Sequence, residues 1–330
     1  MNRLIVLTLT VAAGCTSEPA REIQPLGPAR GLTPKSLAAN ASYTNELERL
    51  DTRIAAVNAQ LVHLPTSTSR HSRLSSLYLS RSKLTGRYED IDAAGNAVRI
   101  AFEVSPKGTG PFIARAAWHA TMTRFSEALA DLERAQSGAA MSAERKASIA
   151  SLRGNALYNL GRNAEARRAL EESIRLDRTP WALSRLALLS WKTGDFEIAE
   201  KLYDEAESGY HGREAEPRAW FHLIRGLMDL ERNRLTDAIE HYQDAESAMP
   251  GWWLVREHIA EAKLRLGDAK AAAELYAEVV EDAPKAELLA AYGDALAANG
   301  QPKEATLWRK KAKRQRESDA ARWPTLSHSH

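Results

Sequence analysis

The chain has 330 residues, of which 27% are charged and 7% aromatic, a composition typical of a globular protein for most of its length. Lys and Arg number 45 against 43 Asp and Glu, so no charge excess favours nucleic acid or an acidic substrate. Alanine and leucine are abundant, while Val, Ile and Thr seldom alternate with polar residues. We therefore expect a mostly helical protein and no nucleic-acid partner.

Residues 1–14 have the form of a secretory signal peptide. A short basic head with Arg3 precedes an apolar run that is too short to span a bilayer as a helix. The run ends in the stretch VAAGC, which contains the single cysteine of the chain, Cys15. One cysteine excludes an intramolecular disulfide, so a secreted form depends on its core for stability. A plain secretory signal and an unprocessed apolar N-terminus are the alternatives.

The stretch VAAGC resembles the bacterial lipobox, although Ala12 stands where leucine is usual. The resemblance implies cleavage before Cys15 and lipidation of its thiol, and Thr16 in place of aspartate implies delivery to the outer membrane. Residues 15–40 contain four prolines and two glycines, which favours a flexible tether between lipid and folded body. The expected location is the bacterial cell envelope, with the chain anchored in the membrane through Cys15.

An amphipathic helix is predicted at residues 41–66. Its apolar side chains recur at alternating spacings of three and four, which is the period of one helical face. These side chains are Leu47, Leu50, Ile54, Val57 and Leu61. We expect this helix to pack on the first unit of the repeats that follow.

A pattern of 17 residues recurs after this helix, as in GNALYNLGRNAEARRAL at 154–170. Its first letter is Gly or Ala, its eighth is usually Gly, and its thirteenth is always Ala. The thirteenth positions, 33 to 39 residues apart, are Ala128, Ala166, Ala199, Ala238, Ala272 and Ala305. Small residues at the first and thirteenth letters let two helix backbones approach closely, and glycine at the eighth can adopt the left-handed turn between them.

This pattern resembles the tetratricopeptide repeat, a helix–turn–helix unit of 34 residues. The resemblance implies an all-α fold, a right-handed superhelical solenoid of about seven repeats over residues 67–313. Residues 314–330 are then the end of a capping helix and a tail. Longer loops are expected at 138–142 and 209–216. In the first unit, extra residues before Pro106 predict that its second helix begins late.

No catalytic constellation is recognisable in the sequence. It lacks His-Glu-x-x-His, Gly-x-Ser-x-Gly and a phosphate-binding loop, and its nine histidines are scattered. His328 and His330 are most simply part of a frayed tail. We therefore expect neither an enzyme nor a bound cofactor or metal.

In repeats of this family the first helix of each unit lines a concave groove, which implies a site for a protein or peptide partner. Aromatic and amide side chains fall on the groove-facing positions of three units. The predicted groove residues are Asn155, Tyr158, Asn159, Trp181, Ser184, Leu188, Trp191, Lys192 and Trp220.

The sequence therefore predicts a non-enzymatic scaffold for protein–protein interaction in the envelope. One alternative is a module that binds a small ligand, such as a peptidoglycan fragment, in the aromatic groove. Packing of the same rings between adjacent units, without any ligand, is the other interpretation of the groove. A cytoplasmic scaffold with an unprocessed N-terminus is a third alternative for the whole chain.

Overall fold

The computed structural model of the protein describes residues 42–137 and 141–324, and these residues form fifteen α-helices and no strand. The signal peptide, Cys15, the whole tether, the loop residues 138–140 and the two terminal histidines lie outside the described residues. Within the described ranges, no helix combines the length and the apolar content that a membrane span requires. The helices are α1 Tyr43–His63, α2 Thr68–Thr85, α3 Tyr88–Glu103, α4 Phe112–Thr121, α5 Phe125–Gln136, α6 Ala143–Asn159, α7 Asn163–Leu176, α8 Pro180–Lys192, α9 Phe196–Ser208, α10 Ala215–Glu231, α11 Leu235–Ala248, α12 Trp253–Arg265, α13 Ala269–Asp282, α14 Ala286–Ala298 and α15 Pro302–Arg322.

Helices α2 to α15 form seven consecutive hairpins. In each hairpin two sequential helices pack together, and the second helix packs on the first helix of the next hairpin. Each hairpin therefore buries its apolar face against its neighbours, which builds one continuous core along the array. The prediction of an all-α helical-repeat solenoid is confirmed.

The recurring alanines occupy equivalent places in successive hairpins. Each is the fourth residue of a second helix, from Ala128 in α5 to Ala305 in α15, and all six are at most 1% exposed. Opposite them, Gly154 in α6 brings its backbone so close to α7 that an added Cβ would lie 2.6 Å from Leu170 Cγ. The small residues at the first and thirteenth letters thus permit the close crossing that the sequence predicts.

The eighth letter of the repeat has the left-handed backbone conformation in all six units that show the pattern. Glycine meets this need at Gly161, with φ of 75°, and at three further units. Where the sequence replaces glycine, Thr123 and Asn233 adopt φ of 55° and 58° in the same place. The turn geometry is therefore fixed by the packing of the hairpin and not by glycine alone.

The first hairpin departs from the sequence prediction at its second helix. Helix α3 begins at Tyr88, two residues after Gly86, whose φ is 66°. The expectation that this helix begins late is therefore wrong, because the turn has the same length as in the other units. The extra residues instead lengthen α3 to 16 residues, so that it ends at Glu103.

The two ends of the array meet. Trp323, directly after α15, donates a hydrogen bond from Nε1 to Asp92 Oδ2 at 2.6 Å and packs its ring on Tyr88 with centroids 5.2 Å apart. Nearby, Trp253 Nε1 donates to the Leu84 carbonyl oxygen at 2.7 Å. The first hairpin therefore contacts α12 and the segment that follows α15, and the array closes on itself.

Candidate functional site

The inner wall of the array is formed by the first helices of successive units, α6, α8 and α10. Most predicted groove residues on this wall are buried, with Trp191 only 4% and Trp220 only 8% exposed. Trp181 is half-buried, and its ring lies 5.8 Å from that of Phe221. We define the inner wall by its buried members, Asn155, Ser184, Leu188, Trp191 and Trp220.

Helices α1 and α2 fill the groove in front of this wall. Helix α1 contacts α10, and the apolar face of α1 belongs to the same buried cluster as Trp191 and Trp220. The members that α1 and α2 add to the cluster are Leu50, Ile54, Val57, Leu74, Leu77 and Leu84. The groove is therefore occupied by the chain itself, and its apolar interior is part of the protein core.

Polar contacts fix α1 against α10. The Glu46 carboxylate accepts a hydrogen bond from the Ala215 backbone N–H at 2.9 Å, at the first residue of α10. A carboxylate at a helix N-terminus is favoured because it satisfies an unpaired N–H and faces the positive end of the helix dipole. Arg49 binds Glu46 and also reaches Glu214, with Nη1 3.1 Å from Oε1. Glu46 thereby caps a helix 169 residues away in sequence.

Charged side chains are enclosed between α2, α8 and α10. Burial lowers the pKa of Lys83 to about 8, with Glu216 acting in the opposite direction. Burial also lowers the pKa of Arg185 to about 10, and its Nη1 donates to Ser151 Oγ at 2.7 Å. Burial raises the pKa of Glu216. These shifts have one cause, since removing a charge from water disfavours its ionised form.

The accessible part of the groove is its edge, where the first helices of four successive units end. We call this edge the rim stripe, and it consists of Tyr158, Asn159, Lys192, Glu231 and Arg265. Lys192, Glu231 and Arg265 are exposed, while Tyr158 and Asn159 are half-buried.

The side chains of the rim stripe contact one another between units. Lys192 Nζ lies 2.5 Å from Glu231 Oε1 and 3.8 Å from the ring centroid of Trp191. Burial raises the pKa of Tyr158, and the charge of Glu231 raises it further. The Glu231 carboxylate therefore acts on Lys192 and on Tyr158, which belong to the two preceding units. Arg265 Nη1 lies at the hydrogen-bonding limit, 3.5 Å from the Leu230 carbonyl oxygen. The stripe is therefore a continuous polar surface with both signs of charge.

The sequence-based site residues include three members of the rim stripe, Tyr158, Asn159 and Lys192, and leave out Glu231 and Arg265. Asn159, Lys192, Glu231 and Arg265 all stand five residues after the small first letter of their repeats. Extending that register by one unit would have found Arg265. The filling of the groove by α1 and α2 has no comparable signal in the sequence.

A cavity of about 410 Å³ lies elsewhere, between α5, α6 and α7. Its walls include the ion pairs Arg153–Glu172, at 2.6 Å, and Arg162–Glu165, at 2.7 Å. Its lining contains no aromatic side chain and no member of the inner wall. It is a shallow depression between charged side chains and does not correspond to the predicted aromatic groove.

The tetratricopeptide-repeat family profile matches residues 151–210 and 184–251, which span the hairpins that build the inner wall. The matched segment consists of tetratricopeptide repeats, and the chain has the fold of a tetratricopeptide-repeat solenoid. Such repeats are scaffolds for protein–protein interaction, so a protein or peptide is the coarse class of partner for this repeat protein.

Several solved structures are similar to the chain at low sequence identity. The Cut9–Hcn1 hetero-tetramer of the APC/C aligns with a TM-score of 0.53 and 12% identity, over 84% of this chain and 50% of that chain. MamA from Desulfovibrio magneticus RS-1 aligns with a TM-score of 0.43 and 16% identity, over 52% of this chain and 96% of that chain. Pseudomonas aeruginosa PilF aligns with a TM-score of 0.44 and 14% identity, over 55% of this chain and 94% of that chain. No curated protein sequence matches the repeat protein significantly.

Proposed function

We propose that this protein is a lipid-anchored scaffold of the bacterial envelope whose protein or peptide partner binds along the rim stripe. The observation that carries the proposal is the division of the groove into two parts. Its apolar interior is filled by α1 and α2, whereas the polar edge is accessible over four units. A partner that binds without displacing α1 therefore meets Tyr158, Asn159, Lys192, Glu231 and Arg265.

The chemistry of the rim stripe suits an extended polypeptide. Asn159 and Lys192 offer donors, Glu231 offers acceptors, and Tyr158 combines a ring with a hydroxyl, which is the type of residue enriched at energetic centres of interfaces. Leu160 and Leu266 follow the stripe and are 40% and 52% exposed, so apolar contacts flank the polar ones. In this proposal the buried Trp191 and Trp220 support the stripe from behind and do not contact the partner.

Site-specific photocrosslinking tests the rim stripe. A photoreactive phenylalanine analogue is placed at Asn159 or at Lys192 in the full chain, and the matched control carries it at Lys270, an exposed residue on α13. We expect the same discrete protein adduct from both rim positions after irradiation of intact cells, and no such adduct from Lys270. Adducts of the same size from all three positions would contradict the rim assignment.

The envelope location is proposed from the sequence around Cys15, which lies outside the described residues. The stretch VAAGC and the proline-containing segment after it support an acylated anchor and a tether. Labelling cells with a radioactive fatty acid tests this directly. We expect label in the wild-type chain and none in Cys15→Ser, which should also leave the membrane fraction. An unlabelled wild-type chain that keeps residues 1–14 would support a cytoplasmic scaffold instead.

The small-ligand alternative has less support from the described residues. Its binding surface would be the aromatic wall, but Trp191 and Trp220 are buried in the cluster with α1 and α2. Peptidoglycan fragments should accordingly leave the tryptophan fluorescence of the protein unchanged. Saturable quenching would favour this alternative over the scaffold.

A further inference from the structure

Two histidines and an aspartate lie close together between α10 and α11. Their spacing in the sequence matches no metal-binding motif. His222 lies on α10, and His241 and Asp244 lie one turn apart on α11. One ring nitrogen of each histidine and a carboxylate oxygen of Asp244 all lie within 4.8 Å of one another.

Each histidine ring is held by a carboxylate through its Nε2 atom. His222 Nε2 lies 3.2 Å from Glu207 Oε1, and His241 Nε2 lies 3.5 Å from Asp229 Oδ2. The Nδ1 atoms of both rings are buried and have no hydrogen-bond partner in the part of the chain that the structure describes. A buried nitrogen without a partner is costly, so each of these Nδ1 atoms calls for a ligand.

We propose that His222, His241 and Asp244 bind a divalent transition-metal ion of the zinc class, with Glu207 and Asp229 orienting the two imidazoles. Two imidazoles and a carboxylate are a common zinc ligand set, and water completes the fourth position. A carboxylate on the second nitrogen of each ligating histidine is the usual outer shell of such sites.

The ligand atoms need only a small rearrangement to bind. Zinc holds nitrogen and oxygen ligands at about 2.0–2.2 Å, so tetrahedral ligands stand roughly 3.4 Å apart. Asp244 is exposed, and rotation about its side-chain bonds can bring its carboxylate closer to the fixed rings.

The charges around the cluster favour a cation. Asp204, Glu207, Asp229 and Asp244 outnumber the nearby cations, Arg225 and Arg234. Arg225 also binds Glu207, with Nη1 2.9 Å from Oε2, and so positions the carboxylate that holds His222.

A second His–Glu cluster in the molecule has the opposite character. His258 is completely buried on α12 and lies 3.0 Å from Glu257 and 3.8 Å from Glu261. Burial opposes its protonation, but the two carboxylates prevail and raise the pKa of His258 to about 9. A proton on this ring competes with a metal ion, so this cluster is the weaker metal candidate of the two.

Calorimetric titration with Zn²⁺ tests the site on the full chain. All samples carry Cys15→Ser, His328→Gln and His330→Gln, which remove the thiol and the terminal imidazoles as competing ligands. We expect one Zn²⁺ per chain at neutral pH and no binding of Mg²⁺ or Ca²⁺, which prefer oxygen ligands. Bound Co²⁺ should show the visible absorption of a tetrahedral nitrogen–oxygen site.

Point variants locate the binding. His222→Gln, His241→Gln and Asp244→Asn should each weaken Zn²⁺ binding at least about tenfold, and Glu207→Gln about 10- to 100-fold through the outer shell. His211→Gln, at an exposed histidine, is the matched control and should bind as the parent does. Circular dichroism verifies folding, and Asp244→Asn, at an exposed position, keeps the test valid should a histidine variant unfold. Absence of Zn²⁺ binding by the parent, or equal affinity in Asp244→Asn and His211→Gln, would overturn the proposal.

Discussion

Single glycines and alanines determine how closely the helices of each hairpin approach. Gly226 on α10 lies against the ring of Tyr242, and any Cβ at position 226 would overlap that ring. Tyr242 is completely buried and its ring also stacks on His258, with centroids 5.6 Å apart, so it has little freedom to move. At the same repeat position, Gly293 faces Arg309, whose side chain is 51% exposed.

Gly226→Ala should therefore destabilise the protein by roughly 1–3 kcal/mol, because the core around Tyr242 cannot relax to admit one methyl group. Gly293→Ala is the matched control. There the flexible stem of Arg309 can shift, and the Ala305 carbonyl oxygen, 3.1 Å from the added Cβ, has to give by only a few tenths of an ångström. The better helix propensity of alanine offsets part of this strain, so we expect a smaller change than at position 226, below about 1 kcal/mol. Urea denaturation followed by circular dichroism measures both. Equal losses in the two variants would contradict the packing argument.

His258 makes stability depend on pH. The groups facing it are Glu257 and Glu261 on its own helix and Tyr242 on α11, and Arg265 binds Glu261 from the other side. Because the folded pKa of His258, about 9, exceeds its ordinary 6.5, the imidazolium stabilises the fold fully below pH 6.5. This stabilisation is lost as pH rises through about 9. Its upper limit is about 3 kcal/mol, from the difference between the two pKa values.

We therefore expect the free energy of unfolding to fall between about pH 6 and about pH 10, by roughly 1–3 kcal/mol. His258→Gln should remove this part of the pH dependence, whereas His211→Gln should retain it. On the acid side, burial opposes the ionisation of Glu261, but His258 and Arg265 outweigh burial and lower its pKa to about 2. That contribution is present above pH 4.5 and disappears as pH falls toward about 2. An unchanged alkaline slope in His258→Gln would assign the effect to other groups.

Among the helices, α1 differs from the others because it belongs to no hairpin. Its apolar face carries Leu50, Ile54 and Val57, each at most 8% exposed, while Val62 near its end is 76% exposed. The polar contacts of Glu46 and Arg49 reach α10 and the residue before it. Helix α1 is thus held by burial in the middle and by hydrogen bonds at its start.

Ile54→Ala should loosen α1 from the groove, since removing three buried carbons costs about 2–4 kcal/mol at a site that cannot collapse fully. Hydrogen exchange resolved by peptide measures the result. We expect faster exchange throughout Tyr43–His63, with much smaller changes in the hairpins α6–α7 and α13–α14. Val62→Ala removes exposed carbons from the same helix and should leave exchange as in the wild type. Were the two variants to behave alike, α1 would not depend on its buried face.

The repeat hairpins were predictable from sequence because their determinants are local. The crossing of α6 and α7 depends on Gly154, Ala166 and a turn at Gly161, all within one 17-residue pattern that recurs. The position of α1 was not predictable, because an apolar stripe indicates that a helix is buried but not which surface buries it. Glu46 contacts a backbone N–H 169 residues away, and one sequence holds no signal for that pairing. For the same reason the inner-wall residues were assigned to an open groove.

The proposed zinc-class cluster illustrates the same limit. His222 and His241 stand 19 positions apart and resemble scattered histidines in the sequence. They meet only because α10 and α11 pack as one hairpin, and their supporting carboxylates come from α9 and from the far end of α10. The expectation of no bound metal rested on local motifs, which a site assembled between helices does not contain.

The molecule as a whole is a solenoid whose ends are joined. Trp323 is 9% exposed, and it contacts the first hairpin through Tyr88 and Asp92. Arg322 adds an ion pair to Glu89 at 3.3 Å. An open solenoid can flex along its length, whereas joined ends restrict that motion and keep α1 and α2 within the groove.

Trp323→Ala should open this closure. The change removes a buried indole, its hydrogen bond to Asp92 and its packing on Tyr88, so we expect about 2–4 kcal/mol less stability for the joined state. Small-angle scattering should show a larger radius of gyration, and hydrogen exchange should accelerate in α3 while the α6–α7 hairpin keeps its protection. Trp323→Phe, which retains a ring against Tyr88 but loses the indole N–H, should give a smaller effect. Since α1 packs between hairpins that the closure holds together, Trp323→Ala should also raise exchange in α1. Unchanged dimensions and unchanged exchange in α3 would mean that repeat stacking alone maintains the curvature.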